Sequence, residues 1–402
     1  VKVTILNSTL GTPRHLVHDG TEFSWASSIP SDSWVYPGVS GHRDLLPIAE
    51  ALGEKISGFE DTPHAVAWES MTRGRDVRIP WMHAIPPDQF QRYLSGILDQ
   101  LWMIIRTEND SYYMNEFVIN RGMLESLCPP IVDKLLIENF LIDATDKSRA
   151  DLLKFLPDES GRAPHSSYTQ SNTVTGRLTA TSGPNILTLK RKYRGMMRSE
   201  FKNGSIVQAD IVSLEPRIAL CVAQKTPPED IYDTIMNDVL GGEVSRSQAK
   251  IATLGCIYGM SPWTLSKKLP ESLDARDILM RIRDYFDIPH LERGLKREFR
   301  EKGFIENIYG RRVPAGDALV NHFLQSTGAD ASLLAFSMLK SKLDDLNARF
   351  KPLYIIHDAI LLDLDASALA SLREITSSGL EVPKFKQRFP IKIEFIGGDK
   401  HE

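Results

Sequence analysis

Four side chains recur at a four-residue interval in the stretch Arg246-Ser-Gln-Ala-Lys250-Ile-Ala-Thr-Leu254-Gly-Cys-Ile-Tyr258-Gly259: two cations, an apolar group and a phenol. On a helix each such step turns about 400°, so the row drifts about 40° per step and covers about 18 Å of one face. That matches an extended nucleotide. Arg246 and Lys250 on the first two turns could hold a triphosphate by charge-assisted bonds, and the aromatic could present a surface to a base. Cations at i and i+4 also decorate ordinary solvated helices, so both readings stay open for this stretch alone.

A second chemistry comes from two aspartates far apart in the chain. Ile206-Val-Gln-Ala-Asp210 reads as a buried strand ending in a carboxylate, followed by Ser213, Glu215 and Arg217. Leu353-Tyr-Ile-Ile-His357-Asp358-Ala-Ile-Leu-Leu-Asp363 reads as two apolar strands with His-Asp at the bend, a hairpin whose tip carries a carboxylate. An aspartate in an apolar run is costly unless it is ionised beside a cation. Mg2+ takes one or two carboxylates plus substrate phosphates, and two such ions about 4 Å apart suit in-line phosphoryl transfer. Taken singly, either aspartate could equally be a turn residue or a helix cap.

The elements that must position these groups belong to a chain of 402 residues, 42% hydrophobic and 25% charged, enough for two or three soluble domains. No run approaches the roughly 18 uncharged apolar residues of a spanning helix, and Val1 to Asn7 reads as a short strand rather than a signal peptide, so the expectation is a cytoplasmic protein with no membrane contact. Cys128, Cys221 and Cys256 have neither metal nor disulfide spacing. A net charge of −4 gives no global basic field, so a nucleic-acid partner needs local clusters. Two exist: Lys190, Arg191, Lys192, Arg194 and Arg198, and Arg293, Lys296, Arg297, Arg300 and Lys302, each also readable as a solvated face.

Residues 1–86 are rich in Pro, Gly, Ser and His, with one amphipathic piece at Leu45 to Ile56, and form an N-terminal region without assignable chemistry. Asp19 and Glu22 fall in a turn-like Asp-Gly-Thr-Glu, the wrong spacing for one strand face, so no exonuclease is expected there. Phe90, Leu94, Ile97, Leu98, Leu101 and Ile105 predict one helix, and Ile131 to Leu141 a second, joined by a polar link as an antiparallel pair. Asp158 to Gln170 reads as a linker and domain boundary.

In order and spacing, four segments resemble the family A DNA polymerases. Thr175-Gly-Arg177-Leu with Pro184-Asn185 is similar to that family's Thr-Gly-Arg-Leu-Ser-Ser segment, and Asp210-x-x-Ser-x-Glu215-x-Arg217 to its first palm motif. The Arg246-Lys250-Leu254-Tyr258 row is similar to its fingers helix and His357-Asp358 to its second palm motif. Asp230-Ile231, Gly259-Met-Ser-Pro, Tyr309-Gly-Arg-Arg312 and Asn321-x-x-x-Gln325-x-Thr-Gly328-Ala-Asp330 agree, and the match covers residues 166–402.

The resemblance implies a template-directed DNA polymerase using two Mg2+ ions, with primer-template DNA and deoxynucleoside triphosphates as partners, acting as a monomer. By it, Asp210, Asp358 and the Ile211 carbonyl would hold the metals. Arg246 and Lys250 would grip the triphosphate, with Lys250 also protonating the leaving pyrophosphate; Tyr232 and Leu254 would face the nucleotide, and Tyr258 the templating base. Glu215 would close the space of a ribose 2'-hydroxyl. Arg177, Asn321 and Gln325 would read the minor groove, where acceptors are common to all correct pairs; Asn185 would also contact DNA and His357 would approach the primer terminus.

Four departures stand against the family pattern. Leu254 replaces an aromatic, Tyr232 a phosphate-contacting His, Ala359 the carboxylate that follows the aspartate, and only eight residues separate Arg312 from Asn321. With no nuclease constellation, the expectation is a compact member, with a phage or mobile-element origin left open. A phage-type single-subunit RNA polymerase is the first alternative, opposed by Glu215; an inactive polymerase-like binding module is the second, opposed by the retained Asp210, Asp358, Arg246 and Lys250. The implied fold is α+β, a right hand with an antiparallel palm sheet in 166–224 and 304–402, helical fingers in 225–303, and thumb-like helices with a linker in 87–165.

Overall fold

A computed structural model describes residues 2–8, 14–19, 21–31, 33–35, 96, 99–107, 111–314, 316, 318–385 and 387–396. The chain forms two compact units, one of Val1–Asn115 with Lys302–Phe304 and one of Glu116–Glu301 with Ile305–Glu402.

In the first unit, strands β1 (Lys2–Ser8), β2 (Arg14–His18), β3 (Phe23–Ala26) and β4 (Ser33–Val35) make a sheet of order β3-β2-β1-β4, parallel only between β1 and β4. Asp19 is the turn residue its sequence predicts: its Oδ1 accepts the backbone N–H groups of Thr21 at 2.8 Å and Glu22 at 3.1 Å. The helix foreseen from Phe90 is helical over 99–107, with Leu101 and Ile105 buried. Leu45 to Ile56, Phe90, Leu94, Ile97 and Leu98 lie outside the described residues.

The stretch expected to be a polar link instead carries a helix of its own, α1 (Ser111–Glu125). The next helix starts later than its apolar run. Ile131 and Val132 pair as a short strand with Arg198 and Met197, and α2 (Lys134–Ile142) begins only after Asp133, whose carboxylate caps it by accepting the Leu136 N–H at 3.0 Å. α3 (Asp146–Leu153) follows.

The second unit is built on a fully antiparallel sheet of β5 (Ser205–Ile211), β6 (Phe350–Ile356), β7 (Ala359–Leu364) and β8 (Ile391–Phe395), in the order β6-β7-β5-β8. These are the strand before Asp210 and the His357-Asp358 hairpin that the sequence singles out, completed by a C-terminal strand of alternating pattern. Every residue of β7 is buried, and Val207, Ile355 and Leu361 are inaccessible, so the apolar runs fill the core and fix the register.

Around the sheet lie α4 (Leu214–Val222), α5 (Arg246–Ile257), α6 (Ala275–Tyr285), α7 (Ile288–Lys302), α8 (Leu319–Asp345) and α9 (Ala366–Thr376). α8 is buried on nearly all sides, from Leu319 to Leu343. On it sits Asp330, wholly inaccessible, which accepts from Arg311 through both oxygens at 2.9 Å and from Asn120, Gln170 and Asn307 at 2.8–3.1 Å. Of the basic clusters, α7 exposes Arg293, Lys296, Arg297 and Arg300, a solvated face with Lys296 paired to Glu292 at 2.6 Å. In the other, the arginines are paired while Lys190 and Lys192 are exposed: Arg191 meets Glu394 at 2.6 Å, Arg194 meets Gln208 at 3.0 Å and Arg198 meets Asp133 at 3.0 Å.

Candidate active site

Strand register brings the two distant aspartates together. Ala359 pairs with Asp210 across β7 and β5, which leaves His357 and Asp358 as the two-residue loop beside the end of β5, and the Ile211 N–H donates to the Asp358 carbonyl at 3.0 Å. His357 enters the loop at φ 55°, and Ser213, just past β5, starts α4 at φ 55°. Two non-glycine residues in the left-handed region each cost about 1–3 kcal/mol, and they flank the same pair of carboxylates.

The pair is poorly compensated by the protein. Burial, then the charges of Asp358 and Glu394, push the Asp210 carboxyl up to about 6. Burial also raises Asp358, with Glu215 adding to it and Arg177 and Lys250 opposing. The nearest donor to Asp210, Gln208 Nε2, is at a long 3.5 Å. Burial lowers the His357 pKa, with the charges of Arg177 and Arg194 acting in the same sense, which favours a neutral imidazole.

Glu215, on the first turn of α4, accepts from Arg177 Nη2 at 2.6 Å and from the Tyr258 hydroxyl. It does not pair with Arg217, two residues further on. Arg217 is buried and donates to the carbonyls of Val212 at 2.9 Å, Pro228 at 3.0 Å and Glu229 at 2.7 Å, tying the turn after β5 to the following loop. Two glycines make room. A Cβ at Gly328 would stand 3.4 Å from Glu215 Cγ, and one at Gly176, which has φ +70°, would stand 2.6 Å from the Arg311 guanidinium carbon. The Thr-Gly-Arg turn is therefore seated on the buried Arg311–Asp330 pair, and the Arg177 carbonyl is held by the Thr173 hydroxyl at 2.8 Å. Arg177, Glu215, Tyr258, Gln325, His357 and Asp358 line one cavity of about 320 Å3.

α5 buries Ala249, Ala252, Thr253, Cys256 and Ile257, and a capping box of Ser245 and Gln248 starts it, so Arg246, Lys250 and Tyr258 lie on its exposed side with Leu254 half-buried among them. Arg246 is held by Asp230 at 2.5 Å and Asp233 at 2.9 Å. The Tyr232 ring is buried beneath both cations, 5.6 Å from the Arg246 guanidinium and 5.6 Å from the Lys250 ammonium, and burial raises its phenol pKa.

Asn185 and Asn321 do not line this cavity. Asn185 lines a separate groove with Lys154, Ser182 and Gly183, and its Oδ1 accepts the Leu187 N–H at 3.1 Å. Asn321 stands one helical turn before Gln325 and accepts its side-chain amide at 2.5 Å. Sequence reasoning missed Glu394 and Lys392, which stand on β8 opposite Gln208 and Asp210 and contribute to the charge environment of Asp210. Their signal was present: in Ile391-Lys-Ile-Glu-Phe the two charges share one strand face.

Comparison with known proteins adds an independent line. The model of the family described as DNA polymerase family A matches residues 86–402, and the chain belongs to that family. DNA polymerase I of Aquifex aeolicus (strain VF5) is 25% identical over 279 residues, covering 62% of this chain and 48% of that protein. The thermostable DNA polymerase I of Thermus caldophilus is 24% identical over 316 residues, 69% of this chain and 37% of that one. This chain thus spans about half or less of the length of these relatives. Among solved structures, the POL domain of Pol1 from M. smegmatis, in complex with DNA primer-template and dNTP, superposes with a TM-score of 0.54 at 15% identity, covering 77% of this chain and 72% of that one. The likeness supports the α+β polymerase fold. No described helix is long and apolar enough to cross a membrane.

Proposed function

We propose that this chain is a template-directed DNA polymerase that adds deoxynucleoside triphosphates to a primer 3'-hydroxyl, with a palm in 166–224 and 304–402, fingers in 225–303 and a thumb in 87–165. The observation that carries the reading is the convergence of Asp210 and Asp358 at one sheet end, beside a cavity closed by Glu215 and Tyr258.

The donor set suits Mg2+. Among the described residues no group of three or more His, Cys, Asp or Glu could hold a metal, but two carboxylates with raised pKa values fit an ion that completes its shell with substrate phosphates. Asp210, Asp358 and the Ile211 carbonyl would be its protein ligands. When bound, a pair of such ions activates the 3'-hydroxyl and neutralises the charge developing on the phosphates.

The remaining work falls to the chain's own groups. Arg246 exchanges Asp230 and Asp233 for phosphate oxygens, and Lys250 offers a proton to the departing pyrophosphate. Arg177, released from Glu215, and Gln325 donate to the minor-groove edge of the new pair. The Glu215 stem fills the space beside C2', which favours deoxynucleotides over the RNA-polymerase alternative. A primer-extension assay on a primed DNA template, run with deoxy- and with ribonucleotides, tests this. Extension by deoxynucleotides complementary to the template is expected; preferential extension by ribonucleotides, or template binding without extension, would replace the reading by one of its two rivals.

A further inference from the structure

A row of cations that the proposed chemistry leaves unused lies on α7. Arg293, Arg297 and Arg300 are exposed, fall within about 60° of one helix face and span about 10 Å of its length. Elsewhere in the unit arginines are matched with carboxylates, as Arg162 is with Glu200, Arg177 with Glu215, Arg198 with Asp133 and Arg281 with Glu243. Arg293 and Arg297 meet no carboxylate among the described residues, and Arg300 donates to the Lys296 carbonyl at 3.1 Å. Two acids of the helix are occupied elsewhere: Glu292 takes Arg283 at 2.7 Å and Lys296 at 2.6 Å, and Glu298 accepts the Glu306 N–H at 3.2 Å. Against three arginines that leaves Glu301 as the only other acid on α7.

The row is held in place by the helices around it. α6 packs on α5, and at the corner that follows α6 the side chains of Phe286 and Ile288 are buried, Asp287 takes φ 50°, and Arg283 bridges to Glu292. Leu295, on the opposite side of α7 from the arginines, is buried as an anchor. The row is thereby fixed to the helix that carries Arg246, Lys250 and Tyr258, yet no residue of α7 lines the cavity beside Asp358.

Like charges one helical turn apart repel, so an unmatched row lowers the stability of its helix unless an anion covers it. A guanidinium meets phosphate oxygens in a fixed fork, and several of them along one line can follow a phosphate backbone without reading bases. A protein partner would need an apolar centre to bury, and the row offers only charge. We propose that Arg293, Arg297 and Arg300 bind the backbone of the DNA duplex that lies ahead of the primer end, a contact separate from the grip on the primer-template at the cavity. The proposal rests on the polymerase reading, in which the fingers meet the template before it is copied.

The test is equilibrium binding of the full chain, by fluorescence anisotropy over a range of salt, to two DNA probes. One is a primer-template with a single-stranded template overhang; the other carries in addition a downstream strand annealed to that overhang beyond a short gap. The unmodified protein is expected to bind the gapped probe more tightly. Replacing all three arginines (Arg293→Gln, Arg297→Gln, Arg300→Gln) should weaken binding to the gapped probe about tenfold or more and lower its log K against log salt slope by about 2–3, with less than about a twofold change on the primer-template. Lysine at the same three positions should keep most of the slope, because the charges remain. Equal losses on both probes, or an unchanged slope on the gapped one, would overturn the proposal. No preference for the gapped probe in the unmodified protein would overturn it too and leave the row to an acidic protein partner. Since the readout is binding, a protein that prefers the gapped probe through these arginines but extends no primer would sink the synthesis reading and leave the duplex contact standing.

Discussion

Two sets of carboxylates in the same unit are treated in opposite ways. Asp330 is fully inaccessible and saturated: five donor contacts and the bidentate charge of Arg311 surround it. Asp210 and Asp358 are half-buried, and they face each other with Glu394 and Glu215 nearby, so that their pKa values rise. The first arrangement is a fastener that joins α1, the Thr-Gly-Arg segment, the strand pair around Arg311 and α8. The second is an energetic debt that a cation would discharge. A carboxylate that the protein itself satisfies holds the fold, and one left unsatisfied has affinity to give to a ligand.

The sharpest way to break this contrast is to neutralise one member of each set. Asp358→Asn is expected to lower nucleotide addition by about a thousandfold or more while primer-template binding and the folded state persist. Asp330→Asn should do the reverse, costing about 3–5 kcal/mol of stability in a denaturant titration because a buried guanidinium loses its counter-charge. Near-normal extension by Asp358→Asn, or unchanged stability in Asp330→Asn, would show the two sets to be alike.

The next effect concerns stability and pH in the presence of a chelator. The folded-state Asp210 value, about 6, lies above the ordinary 3.8, so the native chain binds more protons than the unfolded one between those values and stability declines as pH rises through that window. Above it Asp210→Asn should be more stable than the parent by about 1–2 kcal/mol, and added Mg2+ should narrow the gap by stabilising the parent alone. Thermal melts of both proteins at pH 5 and pH 7.5, with and without the metal, would reveal this; a destabilised Asp210→Asn would mean that the carboxylate is satisfied after all.

Glu215 is intermediate, a carboxylate partnered by Arg177 and Tyr258 yet facing the cavity. Its expected effect is the smallest of the three. Glu215→Ala should raise ribonucleotide incorporation relative to deoxynucleotide by about tenfold, read as the ratio of kcat/KM for ATP and dATP on one primer-template, because the side chain beside C2' is removed. An unchanged ratio would leave Glu215 as a fastener of the Asp330 kind.

The legible parts of this chain were those in which local pattern and chemistry coincide. The strand ending at Asp210, the His357-Asp358 hairpin and the row from Arg246 to Tyr258 are continuous in sequence, and their periods of two and of about 3.6 state which face is buried. The start of α2 was misplaced because an apolar run does not say where a helix begins; the Asp133 cap does, and Ile131 and Val132 were claimed by a strand 65 residues away in sequence. α1 was missed because its polar and apolar residues show no strong helical stripe. Arg217 shows the same limit: it lies two positions from Glu215 in sequence, yet the fold buries it among three carbonyls that no local spacing announces.

By itself, then, the sequence determined the inventory: two aspartates at strand ends, a helix face with two cations and a phenol, and the order of motifs that marks the family. Only the tertiary structure decided which charges are spent and which are free to act. Arg177 is matched with Glu215 from 38 residues away and Arg246 with Asp230 from 16, and Asp210 meets Asp358 through the pairing of Ala359 across two strands. Desolvation and Coulomb energy depend on distances through space, which no sequence spacing encodes, and they separate a carboxylate that fastens from one that waits for a cation.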